Sequence, residues 1–299
     1  MRPRRSVLYM PGSNARALEK AKTLSADALI LDLEDAVAPD AKEIARKQVC
    51  EAVKGGGFGP REVSIRVNGF ATPYGAEDFQ AALEASPDAI LLPKIETPAD
   101  LEYARKQAPA RCKIALWAMI ETPLAILNLK EIGRAAVAAE LPLTCFVLGT
   151  NDLIKMTRIQ AQAHRLPLLA WLSLTVAAGR AFGITVVDGV YNALSDEAGF
   201  RAECLQGRAL GMDGKTLIHP NQLAACNEVF SPSADEIAAA RKIVAAFELP
   251  ENQGKGAIQL NGKMVELLHA EMARRTLLIA DGIAALSKTA SRATAETRM

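Results

Sequence analysis

At 299 residues, with 35 Lys and Arg against 34 Asp and Glu for a formal net charge of +1, the chain carries no global field that would draw it to nucleic acid or an anionic membrane. Half of its residues are hydrophobic and 23% are charged, a globular balance that excludes a disordered or fibrous chain. No apolar run approaches the roughly 18 residues needed to cross a bilayer, and the apolar stretch after Arg2, Arg4 and Arg5 is cut by Pro11 and Gly12, too short for a signal peptide.

Short apolar, β-branched runs recur at residues 6–10, 28–33, 63–67, 89–92, 114–119, 145–148, 184–187 and 215–218. Helical patterns fill the gaps at 15–24, 41–54, 76–85, 98–107, 123–139, 167–182 and 197–210. Strands alternating with amphipathic helices imply a parallel sheet. Eight such units in about 230 residues favour a closed (β/α)8 TIM barrel over an open doubly wound sheet. After Gln222 come two helical stretches, 234–247 and 264–280, separated by a Pro, Gly and Asn-containing segment at 249–256. The expected division is a barrel domain over residues 1–228 and a C-terminal helical lid over 229–299. Five cysteines, Cys50, Cys112, Cys145, Cys204 and Cys226, are too scattered for a zinc or redox motif and fit a reducing compartment. The expected setting is cytoplasmic.

Barrel enzymes of this kind keep their chemistry at the C-terminal ends of the strands, and the polar residues here cluster there. The strands end in turn at Tyr9 to Asn14, Asp32 to Asp35, Arg66 to Gly69, Pro93-Lys94, Glu121-Thr122, Gly149 to Asp152, Asp188-Gly189 and His219-Pro220. Carboxylates from the second, fifth, sixth and seventh strands are expected to converge with Arg66 and Lys94. So many acids in one desolvated site need a counter-charge. Oxygen ligands without nearby Cys and with few His point to Mg2+ rather than zinc. Glu121 and Asp152 are the expected direct ligands, with Glu34 and Asp35 on the metal's waters; the competing reading is that Asp35 and Asp152 merely cap helices.

These motifs resemble the HpcH/HpaI aldolase and citrate lyase beta-subunit group, and within it the malyl-CoA and citramalyl-CoA lyase branch. The resemblance runs from Arg5 to Leu8 with Pro11-Gly12, through Leu31 to Pro39, Ile65 to Asn68, Leu92 to Lys94, Ile120 to Thr122, Gly149 to Leu153, Asp188 to Val190 and Gly211 to Lys215, ending at Ile218 to Gln222. It implies that Glu121 and Asp152 bind Mg2+, that Arg66 contacts the substrate, with Asn68 in the same pocket, and that the region of Tyr9 and Lys20 meets coenzyme A. Asn14 stands where malyl-CoA lyases carry a basic residue. The resemblance also implies a lid exchanged between subunits of a homotrimer or hexamer, with Glu266 where the family has Asp.

The activity expected on these grounds is reversible carbon–carbon cleavage of a 3-hydroxyacyl-CoA such as malyl-CoA or citramalyl-CoA. Arg66 would stabilise the thioester oxygen, Glu266 would exchange a proton with the enolate carbon, and Asp35 would assist. Two alternatives use the same residues: a malyl-CoA thioesterase, with water as the reacting partner, and a citrate lyase beta subunit working on an acyl-carrier protein within a complex.

Overall fold

The computed structural model describes residues 2–136, 141–160 and 163–296. Two compact units form: one is Arg4–Phe230, and the other takes in Pro3 and the chain from Ser231 onward. Among the described residues no helix is long and apolar enough to cross a membrane.

The first unit is a closed barrel of eight parallel strands in chain order, β1 (Ser6–Pro11), β2 (Ala28–Asp32), β3 (Glu62–Arg66), β4 (Ala89–Leu92), β5 (Ala115–Ile120), β6 (Leu143–Leu148), β7 (Thr185–Asp188) and β8 (Gly214–Leu217). Closure is made by β8 returning to β1, with Ser6 opposite Lys215 and Leu8 opposite Leu217. Most of the strands read as apolar runs because both of their faces are covered, with β3 and β8 the polar exceptions. Successive side chains alternate in direction. Val7, Ala28, Ile30, Ala89, Leu91, Trp117, Met119, Cys145, Val147 and Val187 fill the interior, while Leu8, Leu29, Leu31, Ile65, Ile90, Leu116, Phe146 and Val186 pack outward under the helices. Trp117, fully buried, shares the interior with Ala28 and Ala89, a large side chain filling space left by small ones.

The helical layer comprises α1 (Ala15–Ala21), α2 (Lys42–Gly55), α3 (Gly75–Ala85), α4 (Pro98–Gln107), α5 (Pro123–Leu127), α6 (Leu129–Arg134), α7 (Thr150–Thr157), α8 (Leu169–Phe182), α9 (Glu197–Ala209) and α10 (Leu223–Val229). The helix expected over 123–139 is broken. Asn128, with φ −103° and ψ 11°, separates α5 from α6, and its side-chain N–H donates to the carbonyl of Glu96 at 2.9 Å; residues 137–140 lie outside the described residues. The helix α7 follows β6 directly, where the sequence suggested only a polar strand end.

The second unit contains α11 (Ala234–Glu248), the hairpin β9 (Ala257–Leu260) and β10 (Lys263–Glu266), and α12 (Leu267–Glu296). A capping box between Ser233 and Glu236 starts α11. The expectation of a helix from Met264 is corrected here. Asn261 and Gly262 take positive φ of 52° and 76°, the turn that Asn-Gly favours because both central residues must enter the left-handed region. Residues 264–266 are therefore strand, and the helix begins three residues later. Phe247, Ile258, Val265 and Ala270 form the core of this unit.

The same alternation that turns Val187 inward turns Asp188 outward. Asp188 and Lys215 are both fully buried between the strands and α9. Arg165 donates to Asp188 at 2.7 Å, and the Lys215 ammonium reaches Asp188 at 3.2 Å, Glu203 at 2.6 Å and the carbonyl of Gly189 at 2.5 Å. Burial pushes the Asp188 carboxyl upward, but Lys215 and Arg165 outweigh it and hold the group below the ordinary carboxylate range. The strand-seven carboxylate is thus committed to a buried ion network and does not join the barrel mouth. Removing one partner of a buried pair leaves the other desolvated and uncompensated, so Lys215→Ala should lower the unfolding free energy by about 3–5 kcal/mol. A urea midpoint unchanged from the unmodified protein would count against that assignment.

Candidate active site

The mouth is built on Arg66, the last residue of β3, paired in register with Asp32 at the end of β2. Its guanidinium donates in fork geometry to Asp32, Nε to Oδ1 at 2.7 Å and Nη2 to Oδ2 at 2.6 Å. On the other side Nη1 lies 2.7 Å from Glu34 Oε2 and 3.2 Å from Asp35 Oδ2. The ring of Tyr9 lies 4.9 Å from the guanidinium carbon, a cation–π contact in a partly dry setting. Asp32 also accepts from the backbone N–H groups of Glu34 and Ala36 at 2.9 and 3.1 Å. One carboxylate therefore shapes the turn after β2 and pins the cation of β3. Burial raises the Tyr9 hydroxyl, with Asp32, Glu121 and Glu34 adding to it against Arg66, so the phenol stays neutral.

Glu121 follows β5 and is buried. Its Oε1 accepts the backbone N–H of Lys94 at 2.8 Å, and Lys94 presents that N–H from a left-handed backbone with φ 49°, a conformation non-glycine residues seldom adopt. Thr122 then caps α5 through the N–H of Ala125, which fixes the chain on the far side of the carboxylate. Gly149 closes the other side: a Cβ there would sit 2.4 Å from Glu121 Cβ and 2.7 Å from Oε2, so only glycine leaves room. Burial, reinforced by Glu34 and Asp152, pushes the Glu121 carboxyl up to about 7. Burial likewise raises Glu34, with Arg66 opposing it. At Lys94 burial works downward, yet Glu34, Glu121, Asp152 and Asp35 outweigh it and raise the ammonium.

A cavity of about 300 Å³ opens beside this cluster, its lining including Tyr9, Asp32, Asp35, Arg66, Met119, Asp152, Asn192, Thr216 and Ile218. Asn151 in the first turn of α7 is linked to Asn192 in the loop after β7, the Asn192 amide donating to Asn151 Oδ1 at 2.9 Å. Neither acid suspected of helix capping does so: α7 is capped by Gly149 without a side-chain hydrogen bond, and the turn at Pro39 begins at Ala38, again without one.

Of the residues singled out from sequence, Tyr9, Arg66, Asp35 and Asp152 line the cavity, and Glu121 interacts electrostatically with both Asp152 and Lys94. Asn68 does not line it. Its amide is spent on the carbonyl of Leu33, on Asp78 and on Lys42. Lys20 lies exposed on the last turn of α1, whose start is capped by Asn14, and it too is outside the lining. His219 accepts the backbone N–H of Asn221 and caps a short turn. Glu266 ends β10, where its N–H donates to His269 Nδ1 at 3.0 Å. Asp32, quoted only as part of a motif, proves to be the principal partner of Arg66; its place as the one acid at the end of an apolar run was the available signal. Thr216 and Asn192 gave no signal of their own.

The donor set suits a hard divalent cation. Five carboxylates, Asp32, Glu34, Asp35, Glu121 and Asp152, interact with one another and with two cations, Arg66 and Lys94. Burial, with the surrounding negative charge adding to it, is what lifts Glu121 far from its ordinary range. Among the described residues no group of three or more His, Cys, Asp or Glu side chains is placed to hold a metal ion by itself.

Residues 5–220 match the family model described as HpcH/HpaI aldolase/citrate lyase. Over 283 residues the chain is 50% identical to a (3S)-malyl-CoA thioesterase of Cereibacter sphaeroides, covering 95% of this chain and 96% of that one. It is 35% identical over 308 residues to an L-malyl-CoA/beta-methylmalyl-CoA lyase of the same organism, covering 95% and 96%. Among solved structures, CitE of Mycobacterium tuberculosis in complex with magnesium, acetoacetate and coenzyme A superposes with a TM-score of 0.71 at 26% identity, covering 92% of this chain and 97% of that one. The expectation of a carbon–carbon lyase is corrected by these values: the full-length similarity at 50% is to thioesterases, and the lyases stand well below it. The eight-stranded barrel, the motifs at its mouth and the match over residues 5–220 lead to one conclusion, that the chain belongs to the HpcH/HpaI aldolase/citrate lyase family of enzymes.

Proposed function

We propose that the protein is a thioester hydrolase that cleaves a malyl-CoA-type substrate to the free hydroxy diacid and coenzyme A. The observation that carries this reading is the 50% identity, over 95% of the chain, to proteins called (3S)-malyl-CoA thioesterase. The mouth is suited to it, with a cation wall, a carboxylate open to water and an acid-rich corner beside one cavity.

Glu121 and Asp152 would hold Mg2+, which when bound supplies Lewis acidity toward the oxygens of the hydroxy-acid end. The backbone N–H of Lys94 keeps Glu121 in one orientation, and Gly149, having no Cβ, leaves room for its Oε2. Arg66, fixed by Asp32, faces the thioester oxygen and stabilises the negative charge that grows there as water adds to the carbonyl carbon. Because the guanidinium is already held, little reorganisation is needed at that moment. Asp35 is 68% exposed at its side chain, and its Oδ2 is engaged by Arg66; Oδ1 takes the proton of the attacking water. The carbon–sulfur bond then breaks, the acyl group leaves as the carboxylic acid, and the proton passes to the departing sulfur. Tyr9, neutral at working pH, covers the guanidinium face and keeps water from it. Glu266 is proposed as a second proton carrier.

With malyl-CoA as substrate, malate and free thiol should accumulate in equal amounts; accumulation of glyoxylate with acetyl-CoA would defeat the proposal. Glu266→Gln should lower turnover about a hundredfold and leave metal-induced stabilisation intact, whereas full turnover in that variant removes Glu266 from the mechanism. The pH dependence has a definite sign. Glu121 titrates at about 7 in the folded chain, above its unfolded value of about 4.3, so its ionisation costs stability as pH rises through that window. A divalent cation requires the ionised form, and the rise in Tm on adding Mg2+ should therefore be larger at about pH 8 than at about pH 6. Glu121→Gln should abolish most of the shift at both; a pH-independent shift in the unmodified protein would contradict the assignment.

A further inference from the structure

Lys42 lies in the first turn of α2, buried, and outside the cavity lining. An ammonium has three N–H groups to satisfy, and three neutral oxygens take them: the carbonyls of Leu33 and Glu34 at 2.8 and 2.7 Å, and Asn68 Oδ1 at 2.8 Å. A buried cation is tolerated only when its donors are so saturated. The carbonyls of Leu33 and Glu34 are consecutive, so one rigid group fixes the path of the backbone that carries Glu34 and Asp35 out of β2.

The anchor is itself anchored. Asn68 donates through Nδ2 to the same Leu33 carbonyl at 2.8 Å and to Asp78 Oδ2 at 2.5 Å, and its backbone N–H reaches that oxygen at 3.1 Å. Asp78, fully buried, accepts from Arg46 Nε at 2.6 Å. An unbroken path of hydrogen bonds therefore joins Arg46 on α2, Asp78 on α3, Asn68 after β3 and Lys42 to the backbone of Glu34. The Glu34 side chain then stands between the two cations of the mouth, 2.7 Å from Arg66 and 3.5 Å from Lys94.

We propose that Lys42 is a positioning residue: by holding the carbonyls of Leu33 and Glu34 it sets the Glu34 carboxylate against Arg66 and Lys94, and so sets where the guanidinium meets the substrate. Asn68, Asp78 and Arg46 support it from behind. A group needed only for packing would affect stability; one that positions the mouth affects turnover. The kinetic part of the test rests on the hydrolase reading, and the structural part does not.

Lys42→Met keeps the length of the stem and removes all three donors. Its crystal structure should show the Arg66 Nη1 to Glu34 separation lengthened beyond about 4 Å, past ion-pair range, and kcat on malyl-CoA should fall by about ten- to a hundredfold with KM changed less than about threefold. An Arg66–Glu34 pair unmoved in the variant overturns the proposal, and so does an unchanged kcat. Should Lys42→Met not fold, Arg46→Gln carries the test at the outer end of the path: a fall in kcat at constant KM supports the proposal, and a kcat equal to that of the unmodified enzyme overturns it. If the unmodified enzyme releases no thiol from malyl-CoA, the hydrolase reading fails, and the Arg66–Glu34 separation still decides the role of Lys42.

Discussion

The guanidinium of Arg66, buried between Asp32, Glu34 and Asp35 and under the ring of Tyr9, is the interaction on which the barrel mouth depends. A charge taken out of water is costly unless its donors are met by well-placed acceptors, and here the acceptors come from the strand next to it and from the turn that follows. That arrangement draws acids together faster than it neutralises them. Glu121 and Asp152 add further negative charge, Lys94 answers only part of it, and burial together with that charge drives the Glu121 carboxyl toward neutrality. The corner is thus poised to accept positive charge, and the chemistry proposed for the protein follows from that imbalance.

Much of this was legible in the amino-acid order. All eight strands lie within a residue or two of their expected places, because strands covered on both faces leave long apolar signatures between helix patterns of a different period. The mouth was legible for the related reason that a polar residue at the end of an apolar run has nowhere to go except the rim. The same rule misled at Asp188. Strand ends alternate in direction, and its inward or outward sense depends on a register that Val187 and Val186 alone do not reveal. The break at Asn128 and the hairpin at Asn261-Gly262 were missed where local turn chemistry overrode a helix-like pattern. The Asn-Gly pair was a readable signal that the apolar residues following it obscured.

The reaction class was the least legible part. Arg66, Glu121 and Asp152, in the roles proposed for them, would serve cleavage of a carbon–carbon bond or of a thioester equally, since both reactions place negative charge on the same carbonyl oxygen. What separates them is whether water or a carbon partner arrives, and that depends on small differences of shape around the cavity that residue types do not encode. Similarity along the whole chain carried that decision, where the motifs could not.

Two buried lysines, Lys42 and Lys215, hold main-chain carbonyls at separate places on the rim, Leu33 and Glu34 after β2 in one case and Gly189 after β7 in the other. The chain thus spends cations on holding loops still. The pattern also constrains how such a protein can diverge. Because inward and outward positions alternate residue by residue, deleting a single amino acid within β3 would send Arg66 out under the helices and bring Val67 into the bowl. Descendants of this chain can exchange side chains at the rim or lengthen the loops between strands, but the spacing inside each strand is closed to evolutionary tinkering.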